Sequence, residues 1–314
     1  MIVTVTLNPS LDRAMEIDAL VRGEVIRAAS AHLDPGGKGV NVSRALLANG
    51  VASRAVVPCG GEEGAQLVAL LQAEGVDLVA VPIAGRTRSN VTLAEPDGTV
   101  TKINESGPLL APAEFDAVTQ AVLTAAHTAQ WVVACGSVPP GLSVQAFGEL
   151  CARLVGAGVR LAVDTSGPAL RAAARAGAAL LKPNREELAE AIGAPLQSLG
   201  DVVEAAERLR GWGAGAVLAS LGADGAVLVD ADGAVTGESP VDQPRSTVGA
   251  GDALLAGFLA ADAHGPGALA EGLAWGAAAV SLPGSRMPGP GDLRRERVHI
   301  HPRPDLVRRL LAQG

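Results

Sequence analysis

Hydrophobic residues occur in short runs that alternate with longer amphipathic segments along most of the chain. Residues 131–135 are apolar throughout, which is typical of a parallel strand buried on both faces. The alternation of strands and helices predicts βαβ units that form a mainly parallel sheet flanked by helices. Strands are predicted at residues 2–7, 53–58, 130–135, 159–164, 178–182 and 215–220. Helices are predicted at residues 40–49, 62–75, 113–127, 143–157, 168–176, 185–192, 201–213, 268–280 and 304–312.

Two segments break this rhythm. Residues 14–34 contain short alternating runs, including Val25-Ile26-Arg27, and residues 89–104 predict a hairpin with its turn at residues 95–98. These segments form either a small antiparallel sheet that projects as a lid or an edge extension of the main sheet. A further hairpin is predicted at residues 226–237, with Asp232-Gly233 at its turn.

Composition excludes several classes of protein. The chain has 314 residues, of which 48% are hydrophobic, so it can bury one large α/β core or two smaller ones. A formal net charge of −8 argues against a nucleic-acid partner, although small phosphorylated ligands remain compatible with it. No apolar run is long enough to predict a membrane span, so no membrane partner is expected. The 3 cysteines lack metal-binding spacing and predict reduced thiols in a cytoplasmic protein.

The strongest chemical motif is Gly249-Ala250-Gly251-Asp252 at the start of an apolar helix. Backbone N–H groups in a first helical turn lack partners within the helix, and the helix dipole adds positive charge. Such a turn binds anions. Asp252 is then placed to take a proton from a hydroxyl group while the amides hold the group under attack. The alternative is that the glycines open a helix and Asp252 only caps it.

A second glycine turn, Gly36-Gly37-Lys38-Gly39, also opens a helix. It is not a Walker A loop, because Gly39 stands where that motif needs Ser or Thr. Lys38 offers positive charge to a polar ligand, and Asn41 in the next turn offers a donor and an acceptor. The alternative is a glycine turn that carries a solvated lysine.

Polar residues also follow other predicted strands. Asp12 comes soon after the first strand, where open parallel sheets bind ligands, and it either accepts bonds from sugar hydroxyls or starts a turn. Asn184 and Glu187 fit a helix N-cap with its capping box, which the sequence alone favours. The same two residues, joined by Asp164, are also suited to a hydrated divalent cation.

Taken in order, these motifs and Ser220-Leu221-Gly222 resemble the ribokinase-like (PfkB) carbohydrate kinases over nearly the whole chain. The resemblance implies an α/β three-layer sandwich with a mainly parallel central sheet and a small β-sheet lid. It also implies a single kinase domain over residues 1–314, with lid segments inserted at about 12–34 and 86–105. ATP and Mg²⁺ are the implied cofactors, and a homodimer formed through the lid is the implied assembly.

Within the family, Thr87-Arg88-Ser89-Asn90 and residues 281–285 resemble the branch that phosphorylates sugar phosphates, and most of all its fructose-1-phosphate kinases. This implies ATP-dependent phosphorylation of fructose 1-phosphate at its 6-hydroxyl to give fructose 1,6-bisphosphate. Kinases of tagatose 6-phosphate and of fructose 6-phosphate remain alternatives. A non-catalytic sensor of sugar phosphate or nucleotide is a further one.

The resemblance also implies roles for individual residues. Asp252 is the implied catalytic base, with the amides of Gly249, Ala250 and Gly251 as its anion hole. The implied sugar-phosphate ligands are Asp12, Gly37 and Asn41 at the hydroxyls, Lys38, Arg88 and Arg27 at the phosphate, and Ser137 near the sugar. The implied ATP ligands are Lys182, Asn184, Glu187, Ser220 and Gly222, with Glu187 and Asp164 holding Mg²⁺ through water. Ser246-Thr247 replaces an Asp-Thr pair of many members, which leaves open a monovalent cation site near Ser246 and Val248.

Overall fold

In the computed structural model, which describes residues 1–311, the strands form one large sheet and one smaller sheet. The strands are β1 (Ile2–Thr6), β2 (Ser10–Glu16), β3 (Ser30–Gly36), β4 (Ser53–Cys59), β5 (Leu78–Pro82), β6 (Arg88–Ala94), β7 (Val100–Asn104), β8 (Trp131–Cys135), β9 (Arg160–Asp164), β10 (Leu180–Leu181), β11 (Ala216–Ser220), β12 (Ala226–Asp230), β13 (Gly233–Glu238) and β14 (His299–His301). The α-helices are α1 (Lys38–Ala48), α2 (Gly61–Glu74), α3 (Pro112–Ala126), α4 (Val144–Gly156), α5 (Gly167–Arg175), α6 (Arg185–Ile192), α7 (Leu199–Gly211), α8 (Ala250–Ala260) and α9 (Gly265–Val280). Short 3₁₀ helices occur at Gly222–Asp224, Pro290–Asp292 and Arg295–Arg297.

The large sheet has the strand order β14-β13-β12-β11-β10-β9-β8-β1-β4-β5. Its strands are parallel from β5 to β11 and antiparallel from β11 to β14. The chain leaves β1 towards β4 and β5, and later returns to β8 on the other side of β1. Such a switch in direction opens a crevice at the carboxyl ends of the two strands, where ligands bind in open α/β sheets.

Helices cover both faces of the large sheet, which gives three layers. Because side chains alternate along a strand, Val3 and Val5 pack with helices α3 to α7, while Ile2 packs with α1, α8 and α9 on the opposite face. Helix α4 places Phe147, Leu150 and Leu154 on one buried stripe, as expected for a surface helix. Helix α8 is apolar nearly all round because it lies between α1 and α9.

The smaller sheet has the order β3-β2-β6-β7 and is mixed, because β2 runs antiparallel to β3 and parallel to β6. Strand β2 begins only four residues after β1 ends, so this sheet projects directly from the carboxyl edge of the large one. A cleft of about 1090 Å³ separates one face of the smaller sheet from residues 245–248 and 283–287. The smaller sheet therefore starts at the carboxyl end of β1 and covers one side of this cleft.

The mainly parallel sheet and the smaller sheet confirm the predicted fold class, with several local differences. Asp12 lies within strand β2 and not in a turn. Residues 25–27 lie in the loop between β2 and β3, and the small sheet is mixed where an antiparallel one was predicted. Strand β5 was not predicted, because its short apolar run follows a helix with little separation.

The helix predicted at residues 304–312 is wrong over its described part. Residues 304–311 form a turn and an isolated bridge between Arg309 and Ser198, and residue 312 lies outside the described residues. Leu310 is buried in the core beside α7, whereas Leu306, Val307 and Leu311 are exposed, so the apolar residues of this segment do not form the single buried stripe of an amphipathic helix. Among residues 1–311, no helix combines the length and apolarity that crossing a membrane requires.

Candidate active site

The start of helix α8 is shaped by two glycines. Gly249 is the N-cap and has a φ of 76°, a left-handed conformation that favours glycine. A Cβ on Gly249 would lie 2.6 Å from the Cε of Met287, and a Cβ on Gly251 would lie 3.3 Å from the Nζ of Lys182. Since these positions carry no side chains, the first-turn amides stay accessible beside a buried ammonium group. The turn is therefore suited to bind an anionic group.

Asp252 lies in this first turn and is buried. Its Oδ2 accepts a hydrogen bond of 2.8 Å from the Nδ2 of Asn41, in the first turn of α1. Burial and the nearby charge of Asp164 raise the pKa of Asp252 to about 6, against the opposing effects of Asn41, Lys182 and Lys38. A carboxylate with this pKa is ionised at neutral pH and is more basic than an exposed one, which suits a general base.

Two lysines and two carboxylates lie next to Asp252. The Nζ of Lys38 lies 2.6 Å from Asp164 Oδ1 and 3.0 Å from Glu187 Oε1, and the Nζ of Lys182 lies 2.9 Å from Asp164 Oδ2. Burial opposes ionisation of Asp164, but the charges of Lys182 and Lys38 outweigh it and hold the pKa of Asp164 below its usual value. Burial likewise lowers the pKa of Lys38, yet Asp164 and Glu187 raise it well above its usual value. Asp164 and Lys38 are therefore both charged at neutral pH.

The predicted cap at Asn184 is present. Its Oδ1 accepts from the backbone N–H of Glu187 at 2.8 Å, and Glu187 Oε2 accepts from the backbone N–H of Asn184 at 2.8 Å. Because the cap uses only Oε2, the other oxygen of Glu187 points to Lys38. The capping interpretation and the ligand interpretation of Glu187 are thus compatible in one side chain.

These carboxylates suit a divalent metal. Asp164 and Glu187 present hard oxygen ligands close together at the carboxyl ends of β9 and β10. Asp164 Oδ2 is buried and, among the described residues, accepts no well-aligned hydrogen bond although Lys182 lies nearby. Because it accepts no such bond, Asp164 Oδ2 can still bind a cation.

Asp12 marks a second part of the site, where the smaller sheet meets β1. Its Oδ1 accepts hydrogen bonds from Ser10 Oγ at 2.7 Å and from Asn90 Nδ2 at 2.9 Å. The backbone of Gly36 lies so close to the Asp12 carboxylate that a Cβ would overlap it. Glycine at position 36 therefore lets the Gly36-Gly37 turn pack against Asp12.

The two strands of the switch are joined at their ends by a hydrogen bond. Asn8 Nδ2 donates to Ser137 Oγ at 3.0 Å and to the carbonyl oxygen of Ser106 at 3.0 Å. Arg88 donates to the carbonyl oxygens of Asn8 at 3.3 Å and of Glu105 at 3.0 Å. Burial lowers the pKa of Arg88 despite Asp12 and Glu105, which is the environment of a cation without a full counter-ion. Asn8, Ser137 and Arg88 therefore form a connected group of polar side chains next to the smaller sheet.

The structure brings most predicted site residues into two adjoining groups. Asp252, Asn41, Lys38, Lys182, Asp164, Glu187 and Asn184 form the first; Asp12, Arg88 and Ser137 form the second. Ser220 pairs through its backbone with Pro183 and Asn184, which places it at the edge of the first group. Gly222 is exposed at the start of the 3₁₀ helix that follows β11.

Two predicted phosphate ligands, Lys38 and Arg27, share no hydrogen-bond partner with Arg88 among the described residues. Lys38 contacts Asp164 and Glu187. Arg27 is exposed in the β2–β3 loop and makes no hydrogen bond or ion pair within residues 1–311. Their roles at a substrate phosphate stay predictions.

Sequence reasoning missed polar residues that hold the second group of site residues in place. These are Asn8, Ser10, Asn90 and Glu105. Asn8 directly follows β1, so the argument that selected Asp12 also applied to it. The partners of Asn90 and Glu105 depend on strand pairing in the smaller sheet, which a single sequence does not specify.

Comparisons with known proteins found a matching family model and several similar proteins. Residues 5–290 match the model of the pfkB family carbohydrate kinases. The chain is 40% identical over 263 residues to 1-phosphofructokinase of Rhodobacter capsulatus, covering 82% of each chain. It is 37% identical over 305 residues to 1-phosphofructokinase of Haloferax volcanii, covering 96% of this chain and 97% of that one.

Solved structures of similar proteins share the fold. Phosphofructokinase-2 of Escherichia coli in complex with potassium has a TM-score of 0.88 at 34% identity, over 93% of this chain and 96% of that one. The same enzyme with substrates and products gives a TM-score of 0.87 at 34% identity and the same coverage. Ribokinase of Arabidopsis thaliana, complexed with ribose and ATP, shares the fold at 22% identity with a TM-score of 0.72, over 93% of this chain and 96% of that one.

Proposed function

The chain belongs to the pfkB family of carbohydrate kinases, and from this premise we propose that it transfers the γ-phosphoryl group of ATP to the 6-hydroxyl of fructose 1-phosphate. The family makes ATP and a divalent metal the general requirements of the reaction. The observation that carries the assignment is the buried Asp252, which Asn41 holds at the N-terminus of α8 beside Lys182. A sensor that only binds sugar phosphate has no need of a base there.

Asp252 is the proposed general base. As the 6-oxygen of the sugar attacks the γ-phosphorus, its proton passes to a carboxylate oxygen of Asp252. The bond from phosphorus to the bridging oxygen of ATP breaks, and ADP leaves with that electron pair. The products are fructose 1,6-bisphosphate and ADP.

The first turn of α8 and Lys182 stabilise the charge on the group in transfer. The first-turn amides, among them those of Ala250 and Gly251, donate towards the phosphoryl oxygens, and Lys182 adds a fixed positive charge close to Gly251. Phosphoryl transfer depends mostly on such positioning and charge neutralisation. Asp164 and Glu187 would hold the divalent metal, proposed as Mg²⁺, which supplies further charge neutralisation to the phosphates.

The sugar phosphate is proposed to bind under the smaller sheet. Asp12 and Asn41 accept and donate hydrogen bonds to its hydroxyls, with Gly37 and Ser137 at the same wall. Arg88 offers its guanidinium group to the phosphate, since its present partners are two carbonyl oxygens. The smaller sheet would then act as a lid that excludes water from the reacting groups.

Fructose 6-phosphate is the second candidate substrate. Phosphofructokinase-2 of Escherichia coli has been solved in complex with fructose 6-phosphate, at 33% identity and a TM-score of 0.84 to this chain. Fructose 1-phosphate and fructose 6-phosphate carry the phosphate at opposite ends of the sugar. Either could bind in the same pocket with its phosphate at Arg88. Identity to the 1-phosphofructokinases favours fructose 1-phosphate.

The assembly is proposed as a homodimer formed through the smaller sheet. Strand β7 exposes Val100 and Ile103, which are 53% and 58% accessible, on an edge strand of that sheet. A tetrameric inhibited form is described for phosphofructokinase-2 of Escherichia coli, so sedimentation of this protein should distinguish two subunits from four. A monovalent cation near Ser246 and Val248 and a cytoplasmic location stay predictions.

Product analysis tests the proposed function. The purified protein should convert fructose 1-phosphate and Mg·ATP to fructose 1,6-bisphosphate, visible by ³¹P NMR as a second phosphate ester at carbon 6. ADP formation without that ester, or no reaction with either phosphofructose, would refute it.

A further inference from the structure

Lys38 occupies the space between the two carboxylates that are suited to the metal. Its Nζ lies 2.6 Å from Asp164 Oδ1 and 3.0 Å from Glu187 Oε1. A magnesium ion requires oxygen ligands at about 2.0–2.1 Å with near-octahedral geometry. An ion bound directly to these two oxygens would therefore occupy the volume that the ammonium group fills. A water ligand of the ion that bridged both oxygens would need the same place, so in either case the ammonium group and the metal cannot be there together.

Exposure indicates which lysine can leave. The side chain of Lys38 is 35% exposed, whereas that of Lys182 is 4% exposed and pairs with the other oxygen of Asp164. Lys38 also begins helix α1 directly after Gly37, so its side chain can swing about a fixed backbone without any change in the sheet. Lys182 would remain as the permanent partner of Asp164.

We infer that Lys38 and the divalent metal exchange at Asp164 and Glu187: the metal binds these carboxylates only as the ammonium group leaves them. The inference rests on the proposed function, because the metal concerned is the one that accompanies ATP. Lys38 would then have one set of partners before the metal binds, the two carboxylates, and another after it leaves them. Gly36, two residues before Lys38, packs against Asp12, so the released ammonium group lies next to the part of the site proposed to bind the sugar phosphate.

Exchange has a measurable consequence for metal affinity. A metal that must displace Lys38 binds with an apparent affinity reduced by the fraction of molecules in which the carboxylates are free. If Lys38 is paired in about nine molecules of ten, removing its charge should tighten metal binding about tenfold. If Lys38 only stabilises the site, removing its charge should leave the metal affinity unchanged or weaken it.

The first experiment titrates the protein with Mn²⁺ alone, without nucleotide, and follows free Mn²⁺ by electron paramagnetic resonance. Lys38→Met should bind Mn²⁺ about tenfold more tightly than the unmodified protein, while Lys38→Arg, which keeps the charge, should not. Lys102→Met is the matched control, because Lys102 is exposed on β7, and its Mn²⁺ affinity should be unchanged. Equal or weaker Mn²⁺ binding by Lys38→Met would overturn the inference, as would the absence of binding in every form.

A second measurement needs no variant and covers the case in which Lys38→Met fails to fold. The chain has three lysines, Lys38, Lys102 and Lys182, so acetylation by an amine reagent can be followed at each one by mass spectrometry. Mn²⁺ should increase the acetylation rate of Lys38 several-fold and leave that of Lys102 unchanged. An unchanged or reduced rate at Lys38 under saturating Mn²⁺ would contradict exchange.

These results are independent of turnover. A protein that forms fructose 1,6-bisphosphate but shows no exchange would retain the proposed function and lose this inference. A protein that shows exchange but phosphorylates no sugar phosphate would lose the proposed function instead.

Discussion

Asn41 Nδ2 donates a 2.8 Å hydrogen bond to Asp252 Oδ2, which lies 211 positions away in sequence, and so joins the first turns of α1 and α8. The bond fixes one carboxylate oxygen, and the other accepts no hydrogen bond from the residues that the structure describes. Asn41 Oδ1 is itself buried and accepts no hydrogen bond from residues 1–311. One hydroxyl of the substrate could donate to that oxygen while a second, the one that attacks, gives its proton to Asp252, so this pair can orient the sugar as well as the base.

Asp252→Asn should lower kcat by about 10²–10⁴-fold, because the amide keeps the shape of the carboxylate but accepts no proton. The affinity for ATP should change little, since the first-turn amides and Lys182 remain. Steady-state kinetics and a nucleotide titration measure the two effects. Asp116→Asn, an exposed position on α3, is the control and should keep full activity. Undiminished turnover by Asp252→Asn would remove Asp252 from the mechanism.

The pH dependence of kcat should report Asp252. Its pKa is raised to about 6, so kcat should fall as the pH drops through that value and the base becomes protonated. The hydrogen bond from Asn41 favours the charged form, and Asn41→Ala should therefore raise the pKa of Asp252 further and move the acid limb to higher pH. Asn104→Ala, at the end of exposed β7, should leave the profile in place. A limb that moves to lower pH in Asn41→Ala would contradict this role.

Arg88→Met should raise the KM for the sugar phosphate by about tenfold or more, since a charge-assisted hydrogen bond to phosphate is worth about 1.5–3 kcal/mol. The KM for ATP should stay nearly constant. Arg86 offers a close control, because it lies two residues away and forms ion pairs with Glu63 and Glu105 at the surface. Arg86→Met should leave both KM values within about twofold. Equal effects of the two substitutions would show that Arg88 acts only through stability.

Gly37→Ala should destabilise the fold as well as the site. Gly37 has a φ of 118°, and a Cβ there would lie 2.6 Å from the Cγ2 of Thr6. Strain and overlap together should lower the free energy of unfolding by about 2–5 kcal/mol, as measured in urea. Gly50→Ala separates the two causes, because Gly50 has a φ of 72° with open space around it. It should cost only about 1 kcal/mol; equal losses would exclude the contact with Thr6.

Much of the scaffold was predictable because its signals are local. The five residues Trp131–Cys135 are all buried, as their unbroken apolar run requires, and the box of Asn184 and Glu187 forms as its spacing predicts. The glycine turns before α1 and α8 likewise lie where the sequence places them. In each case the residues that determine the structure are neighbours in sequence.

The remainder depends on contacts between distant segments. Strand β2 pairs with β6 in parallel, 78 positions away at Asp12 and Asn90, and no local pattern specifies that register. Residues 304–311 look helical in composition, yet backbone hydrogen bonds to Gln197, Leu199 and Gly200 hold them as a turn and a bridge at the start of α7. The partners of Lys38 could not be predicted either, because a lysine in a glycine turn gives no indication that Asp164 and Glu187 fold beside it.

The most direct test of the account measures ADP release with Mg·ATP and four acceptors in parallel: fructose 1-phosphate, fructose 6-phosphate, tagatose 6-phosphate and fructose. The account predicts the highest kcat/KM for fructose 1-phosphate and negligible turnover of fructose, which lacks a partner for Arg88. A higher kcat/KM for a 6-phosphate would contradict the assigned substrate while leaving the role of Asp252 intact. Failure to phosphorylate any of the three sugar phosphates would contradict the central claim.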